Sequence, residues 1–369
     1  MGWLEDVIKA REMIERGRFS VVTHGGIAHM DDLLASALLY GRASVYRLNT
    51  YEQVVNIAGD VLLVDFGDGF RDKLPAERFV VLDHHGSSDE PSSIVQVATA
   101  LGVTPSPAVA TLTHFVDLFD RFGPSVKKVA GHYGNSLNHG LTRIFSSFAG
   151  AVRDRFMELV TEAYLSKTDV SLDALFNALK IAERLQFTKL AEHFPRTFAQ
   201  LRLMLQAAGN PSVALSKEAV DTGFGVDFGC YAVLAVPELE RYVLQGLEQY
   251  FEEAKRAAET VLYMRYSMVK KAGRDVVAIV VDEPMSPTML WNALKDLGMA
   301  EGPTFIVMKD VRTPGGYTVW RPQEYAEVID FRKLSGENVV FKHAGGFLAV
   351  VKAKDGQDAA ISVLKQLLE

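Results

Sequence analysis

Apolar residues in the first quarter of the chain come in short runs, and each run ends in acid or imidazole. Phe19-Ser-Val-Val-Thr23 leads into His24-Gly-Gly-Ile-Ala-His29-Met-Asp31-Asp32. Val61-Leu-Leu-Val64 ends in Asp65, with Asp68 close behind, and Phe79-Val-Val-Leu82 ends in Asp83-His84-His85. Valine-rich runs of this length, without polar alternation, predict strands buried on both faces, the pattern of a parallel sheet covered by helices. In an open parallel sheet, ligands bind beyond the carboxyl ends of the strands. Four of the nine histidines sit at these three run ends, a concentration that scattered surface charge does not produce, so the ends read as one functional site.

Helical spacing surrounds the runs. Trp3 to Arg16 carries Leu4, Val7, Ile8 and Ile14 among charges and stops at Gly17, which predicts a short amphipathic helix. Gly25-Gly26 makes a loop in which backbone can approach a ligand closely. Asp31-Asp32 stands at the first turn of a compact helix, Leu33 to Leu39, where acids suit the helix dipole. One of the two is expected to cap and the other to bind metal. Ala43 to Leu48 reads as a further strand, and the strand-helix alternation indicates a parallel sheet. Ser106-Pro107 opens a helix that runs to Gly123-Pro124, with Val109, Leu112, Val116 and Phe119 as its apolar stripe. His114, Asp117 and Asp120 recur along it at a spacing of three. On a helical wheel Asp120 lies nearest the stripe, Asp117 farther round and His114 opposite. An aspartate beside a buried stripe is costly unless it is paired or metal-bound.

Beyond this point the pattern changes. From about Lys127 to Lys270 it is mostly helical, with helix spacing over Phe156 to Tyr164, Leu172 to Leu185 and Tyr242 to Arg265. Gly131 to Gly140 reads as a connector and its His132 and His139 as loop histidines. Asp221 to Gly229 reads as a loop before a strand, Cys230 to Val236. A shift in composition follows. Asp275 to Val281 is a structural strand, after which Pro284 and Pro287 suggest turns. Thr304 to Met308, Gly316 to Trp320 and Val339 to Phe341 are further strands. Lys342-His343-Ala-Gly345-Gly346-Phe347 is a glycine-rich turn whose backbone N–H groups and flanking cations would suit an anion. Gln357 to Leu368 closes the chain as a helix. The expected domains are 1–126, a mostly helical 127–270, and 271–369.

Composition narrows the chemistry. The chain has 369 residues, a net charge of −7 and a single cysteine, Cys230. A disulfide framework and a cysteine-based zinc site are thereby excluded, and a reducing, cytoplasmic setting is expected. No apolar stretch approaches a membrane span, and the opening Met1 to Asp6 does not read as a secretory leader. The negative charge gives no global pull toward nucleic acid, although a carboxylate-rich metal site carries negative charge that bound cations cancel. The available donors are carboxylate oxygens and imidazole nitrogens. Such a set leans toward manganese, with magnesium or another divalent ion as the alternative. Three strand ends and a helix offer donors enough for two cations, which would clamp the attacking and leaving oxygens of a displacement at phosphorus. Asp65, alone at the end of the middle run, is expected to bridge them. Asp83 is placed to orient a histidine from behind, and a histidine left free of metal can donate a proton to the leaving group.

Asp83-His84-His85 at a strand end, after an Asp-ended strand and a His/Asp first motif, resembles the DHH phosphoesterase superfamily. Within it, Thr23-His24-Gly-Gly-Ile-Ala-His29-Met-Asp31-Asp32 is similar to the Thr-His-Asn-Gly-Thr-Phe-His-Cys-Asp-Glu of the Myg-type (melanocyte-proliferating-gene) exonuclease family. Asp117-Leu-Phe-Asp120-Arg-Phe-Gly123 resembles that family's Asp-x-x-Asp-Asn-Gly. Val281-Asp-Glu-Pro284, Val319-Trp-Arg321-Pro322 and Phe341-Lys-His-Ala-Gly-Gly-Phe347 resemble its C-terminal part. The resemblance covers roughly the first 125 and last 95 residues. It implies metal ligation by His24, His29, Asp31, Asp65, His84 and one of Asp117 or Asp120. It also implies a substrate-phosphate contact from His85, supported by Asp83, and substrate binding by Arg321, Lys342, His343, Gly345 and Gly346. Met30, Asp32, Gly86 and Arg121-Phe122 depart from the family pattern beside the ligands, which bears on substrate preference more than on metal.

The expected fold is therefore α/β: an N-terminal parallel-sheet domain, a helical middle and a smaller C-terminal α/β domain closing over a metal cleft. The expected function is manganese-dependent hydrolysis of single-stranded nucleic acid or short oligonucleotides, as a 3′-5′ exonuclease. The alternatives are a phosphohydrolase of cyclic dinucleotides or pyrophosphate and a non-catalytic nucleotide-binding regulator. No membrane partner is expected, and assembly into a homo-oligomer is left open.

Overall fold

A computed structural model describes residues 2–85, 87, 89–122, 136–147, 151–168, 188–199, 201–203, 206, 210, 228–270, 276–300, 302–343 and 345–367. His132, Leu172 to Leu185, Asp221 to Asp227 and Gly86 lie outside them. The chain forms two compact units, one of residues 1–185 and 203–250, the other of residues 186–202 and 251–369.

The first unit opens with helix α1 (Trp3–Arg16), which Gly17 ends in the left-handed conformation. Strand β1 (Phe19–His24), helix α2 (Met30–Leu39), β2 (Ser44–Leu48), α3 (Tyr51–Val55), β3 (Asp60–Val64) and β4 (Phe79–Leu82) follow. All pairings are parallel, in the order β2-β1-β3-β4. Because successive side chains alternate between faces, the apolar runs must be covered twice. On one face Val22, Val61, Leu63, Phe79 and Val81 pack with Val54 and Leu74. Helices α1, α2 and α4 (Ser93–Leu101) contact the sheet, and α4 also packs against both α1 and α2. The core of β3, Val61 to Val64, is fully buried, and each such side chain stabilises the fold by about 1.5–3 kcal/mol. Helix α5 (Pro107–Phe122) packs on α2 and α4. Helices α6 (Ser136–Ser147) and α7 (Ala151–Leu165) come next.

Helix α8 (Thr188–His193) belongs to the second unit, whereas α9 (Phe228–Ala235) and the first half of α10 (Glu240–Leu262) belong to the first. The second unit then adds β5 (Ser267–Lys270), β6 (Val277–Val281), α11 (Pro287–Asp296), β7 (Thr304–Lys309), β8 (Gly316–Trp320), β9 (Val339–Lys342), β10 (Leu348–Lys352) and α12 (Gly356–Leu367). Its six-stranded sheet runs β5-β6-β7-β8-β10-β9, parallel only between β6 and β7. Ala359, Ala360, Val363 and Leu364 of α12 pack into the core of that sheet with Phe305, Val307 and Phe331.

The α/β expectation with a parallel N-terminal sheet agrees with this architecture, and four local expectations are corrected. Cys230 to Val236 is not a strand: Phe228–Ala235 is a helix. That segment is almost uniformly apolar, buried over Phe228 to Ala232 and half-buried beyond, and periodicity does not separate a short buried helix from a strand. His139 lies on α6 rather than in a loop, stacked on Tyr250. Its neighbour Gly140 lets α6 approach the backbone of Val243 and Gly246 so closely that a Cβ there would sit 2.7 Å from the Val243 carbonyl. Pro287 does not make a turn but occupies the first position of α11, with the Ser286 side chain accepting from Met289 N. The stretch to Lys270 ends in strand β5, and β10 follows the glycine turn as a strand that the pattern did not single out.

Candidate metal centre

The carboxyl ends of β1, β3 and β4 lie side by side in the first unit, and each delivers its ionisable residues there. Asp65 follows β3 directly and is 1% exposed. Its φ of 53° is left-handed, and Gly67, two residues on, has φ 123°. Non-glycine residues rarely take positive φ, and such strain collects at functional sites. The tight turn points the Asp65 carboxylate into the cluster, where neither oxygen accepts a hydrogen bond from the described residues. Such a buried acceptor pair is costly unless a cation or proton supplies the missing partner.

Asp65 is shared by three groups of side chains whose ligand atoms lie within 4.8 Å of one another. The first is His24, His29 and Asp65; the second is Asp31, Asp65, His84 and Asp120; the third is Asp65, Asp83, His84 and His85. His24 Nε2 is 3.5 Å from Asp65 Oδ2, His85 Nδ1 is 3.5 Å from Asp65 Oδ1, and His84 Nε2 is 3.0 Å from Asp120 Oδ2. His29 Nδ1 lies 3.9 Å from Asp65 and 3.8 Å from Asp120, with the ring half exposed. His84 and His85 stack nearly parallel, their ring centroids 4.8 Å apart.

Electrostatics follow from the crowding. Burial, and then the Asp120 charge, push the Asp65 carboxyl up to about 7. Burial, with Asp120 and Asp65, also holds Asp31 well above the carboxylate range. For His84, burial opposes the charged form, but the Asp120 hydrogen bond and charge outweigh it and raise the ring to about 9. His85 moves the same way, burial being overcome by the charges of Asp83 and Asp65. Asp83 and Asp120 shift downward: burial works against their ionisation, but the adjacent histidines prevail. Without cations, the cluster holds protons where metals would supply positive charge. Buried carboxylate oxygens and imidazole nitrogens around one shared aspartate fit divalent cations of the manganese or magnesium type.

Each acid doublet divides between two tasks. Asp31 joins the cluster, while Asp32 is consumed locally. Asp32 Oδ1 accepts His29 N at 2.7 Å, closing the first turn of α2, and Oδ2 takes Arg47 Nη1 at 2.7 Å and Thr23 Oγ1 at 3.2 Å. Arg47 also donates to Gly26 O and lies over the Phe145 ring. Of the second doublet, Asp120 is in the cluster. Asp117, farther from the stripe on the wheel, is nonetheless buried, because α5 also packs against α4. Asp117 accepts Ser92 N and pairs with Arg121 at 2.7 Å. His114 is exposed. Asp83 accepts four hydrogen bonds, from His84 N, His85 N, His85 Nδ1 at 2.6 Å and Asp68 N.

Sequence reasoning did not single out Arg47, nor the N-terminus of α4. Ser93 N and Ile94 N donate to the two oxygens of Asp31 at 3.0 and 2.8 Å. The one available signal was Ser92-Ser93 before an apolar run, a helix-start pattern.

In the second unit, His343, Gly345 and Gly346 form the expected turn, closed by Gly346 N donating to His343 O. Gly345 N donates to His343 Nδ1, so the two glycine amides are engaged within the turn rather than left open for an anion. Lys342 Nζ donates to the carbonyls of Arg332 and Leu334. Arg321 is 4% exposed and contacts the carbonyls of Pro322 and Gly345 at 3.3 and 3.4 Å. Gly346 has φ +65°, and a Cβ there would lie 2.3 Å from Asp330 Oδ1, which restricts the position to glycine.

No family model matches the chain, and no curated protein does. Solved structures similar to it include the DHH domain of a protein described as a member of a ribosomal-protein family, at 12% identity and a TM-score of 0.39, covering 99% of this chain and 90% of that one. Another is RecJ from Thermus thermophilus in complex with Mn2+, at 15% identity and a TM-score of 0.41, covering 99% of this chain and 55% of that one. A third is PggH, the pGpG-specific phosphodiesterase from Vibrio cholerae, at 10% identity and a TM-score of 0.41, covering 95% of this chain and 99% of that one. The chain spans about half the length of the Thermus RecJ. No described helix is long and apolar enough to cross a membrane.

Proposed function

We propose that the chain is a divalent-metal phosphoesterase that cleaves phosphodiester bonds in single-stranded nucleic acid or short oligonucleotides. The observation that carries this reading is Asp65: buried, held at φ 53° and, among the described residues, without a hydrogen-bond donor on either oxygen and common to all three ligand groups. His24 and His29 on one side, and Asp31, His84 and Asp120 on the other, would hold one cation each, with Asp65 between them. Such cations polarise a phosphoryl oxygen and make water acidic enough to attack near neutral pH.

The chain's own residues supply the rest. Asp83 locks the β4 turn and accepts from His85 Nδ1, which fixes the ring and favours its protonated form. A protonated His85 beside the cluster is a general acid suited to the leaving oxygen. By the motif resemblance, Arg321 and His343 are proposed as substrate contacts. The choice of an oligonucleotide over a dinucleotide or pyrophosphate rests on that resemblance too. Manganese-loaded protein should be assayed on labelled oligonucleotides, cyclic dinucleotides and pyrophosphate. Stepwise shortening of the oligonucleotide from its 3′ end is the expected result. Turnover of pyrophosphate alone, or of none of the three, would overturn the reading.

A further inference from the structure

We infer that Asp117 is a positioning residue for the ligand Asp31, acting through the N-terminus of α4, and that Asp120 alone of the second acid doublet faces the cations. The inference rests on the metal reading above and assigns within it a role that the Asp-x-x-Asp spacing leaves open.

The first N–H groups of a helix have no partner within it. Helix α4 begins after Ser92, whose side chain makes no cap and whose Oγ is buried without a hydrogen bond. Two carboxylates from other elements take over. Asp117 Oδ1 on α5 accepts Ser92 N at 2.7 Å. Asp31, at the start of α2, accepts Ser93 N on Oδ2 at 3.0 Å and Ile94 N on Oδ1 at 2.8 Å. Three consecutive amides are thus divided between an anchoring acid and a ligand acid. Ser93 Oγ donates to Leu82 O, tying the same turn to the end of β4, where Asp83 and His84 begin.

The consequence for Asp31 is geometric. Both of its oxygens are fixed by α4 amides, so the plane of the carboxylate is set by α4 and not by its own helix. Each oxygen keeps a second lone pair, and these are what Asp31 can offer to a cation. Rotating or lifting the first turn of α4 would turn those lone pairs away. Asp117 opposes that movement at the residue just before the two amides Asp31 uses. Its second oxygen is held by Arg121 one helical turn on, at 2.7 Å, which supplies the countercharge that burial demands. With one oxygen on Ser92 and the other on Arg121, Asp117 lies in none of the three ligand groups found among the described residues, whereas Asp120 lies in one.

The test is manganese titration by calorimetry of wild type, Asp117→Ala, Asp117→Asn and Asp120→Asn, each checked for folding by its thermal melt in chelator. Asparagine keeps a carbonyl oxygen for Ser92 N and removes the charge. Asp117→Ala should keep the wild-type number of ions but bind at least one about 10- to 100-fold more weakly, the usual cost of losing a group that orients a ligand. Asp117→Asn should bind close to wild type, and Asp120→Asn should lose an ion. An Asp117→Asn protein that loses an ion would make Asp117 a ligand and overturn the inference. So would an Asp117→Ala protein that melts earlier but binds manganese like wild type. Where the alanine variant does not fold, the asparagine variant decides alone. A wild-type protein that binds no manganese overturns the metal reading itself, a failure distinct from either.

Discussion

The metal-free protein should lose stability as pH rises, and the cluster sets the window. Four groups contribute, Asp31, Asp65, His84 and His85, all held above their ordinary values, and Asp65 and His84 set the window. Asp65 titrates at about 7 in the fold against 3.8 in the unfolded chain. His84 titrates at about 9 against 6.5. Both are raised, so in both cases the folded state binds the proton that the unfolded state has released. Stability therefore falls as pH rises through each interval, from about 4 to 7 for Asp65 and from about 6.5 to 9 for His84. Asp83 and Asp120 are shifted downward, so their contribution is complete above pH 4 and flat in this range. One pK unit corresponds to about 1.4 kcal/mol, so His84 alone places the loss between pH 6.5 and 9 on the order of 3 kcal/mol. For a unit of this size that is roughly 6–12 °C in Tm. The assay is a set of thermal melts in chelator from pH 6 to 9.5, repeated with saturating manganese. Manganese should remove most of the decline, because bound cations hold the same ligands deprotonated. A chelated protein whose Tm is flat or rises across that range would refute the reasoning.

Other expectations follow from single contacts. His84→Ala should lose bound metal, whereas His85→Ala should keep metal and lose turnover; metal titration with kinetics separates them, and equal metal loss in both would contradict the division of roles. Arg47→Ala leaves the Asp32 carboxylate buried without its cation. It should destabilise the first unit by about 3–5 kcal/mol, which chemical denaturation would read, and a change under about 1 kcal/mol, the scale of an exposed pair, would show that Asp32 is satisfied without it.

The parts of the fold legible in the sequence are those where burial on both sides leaves no polar alternation. Strands β3 and β4 were set by unbroken apolar runs and β1 by Phe19 and the Val21-Val22 pair, and Asp65 and Asp83 by where the runs stop. Helix α1 was bounded by its stripe and by Gly17. The division of labour within the acid doublets was not legible, because it depends on partners distant in sequence. Asp32 is taken by Arg47 on strand β2 and Asp31 by amides 62 and 63 residues on. Asp117 lay off the stripe on a wheel that knows only one apolar face, and α4 supplies a second. The glycine turn was located correctly by its residues, but the use of its amides was not, since His343 folds back on its own backbone. Cys230 to Val236 failed for want of length: a short apolar segment such as Phe228–Ala235 fits either a helix or a strand, and the packing around it decides.

The central claim is that Asp65 is shared by two cations, and the most direct measurement is the manganese stoichiometry of wild type and Asp65→Asn, with electron paramagnetic resonance of the loaded proteins. Wild type should bind two ions whose spectra show magnetic coupling through a common ligand. Asp65→Asn should bind at most one, uncoupled, and lose phosphodiesterase activity. An Asp65→Asn protein that binds two manganese ions and turns over like wild type would contradict the account.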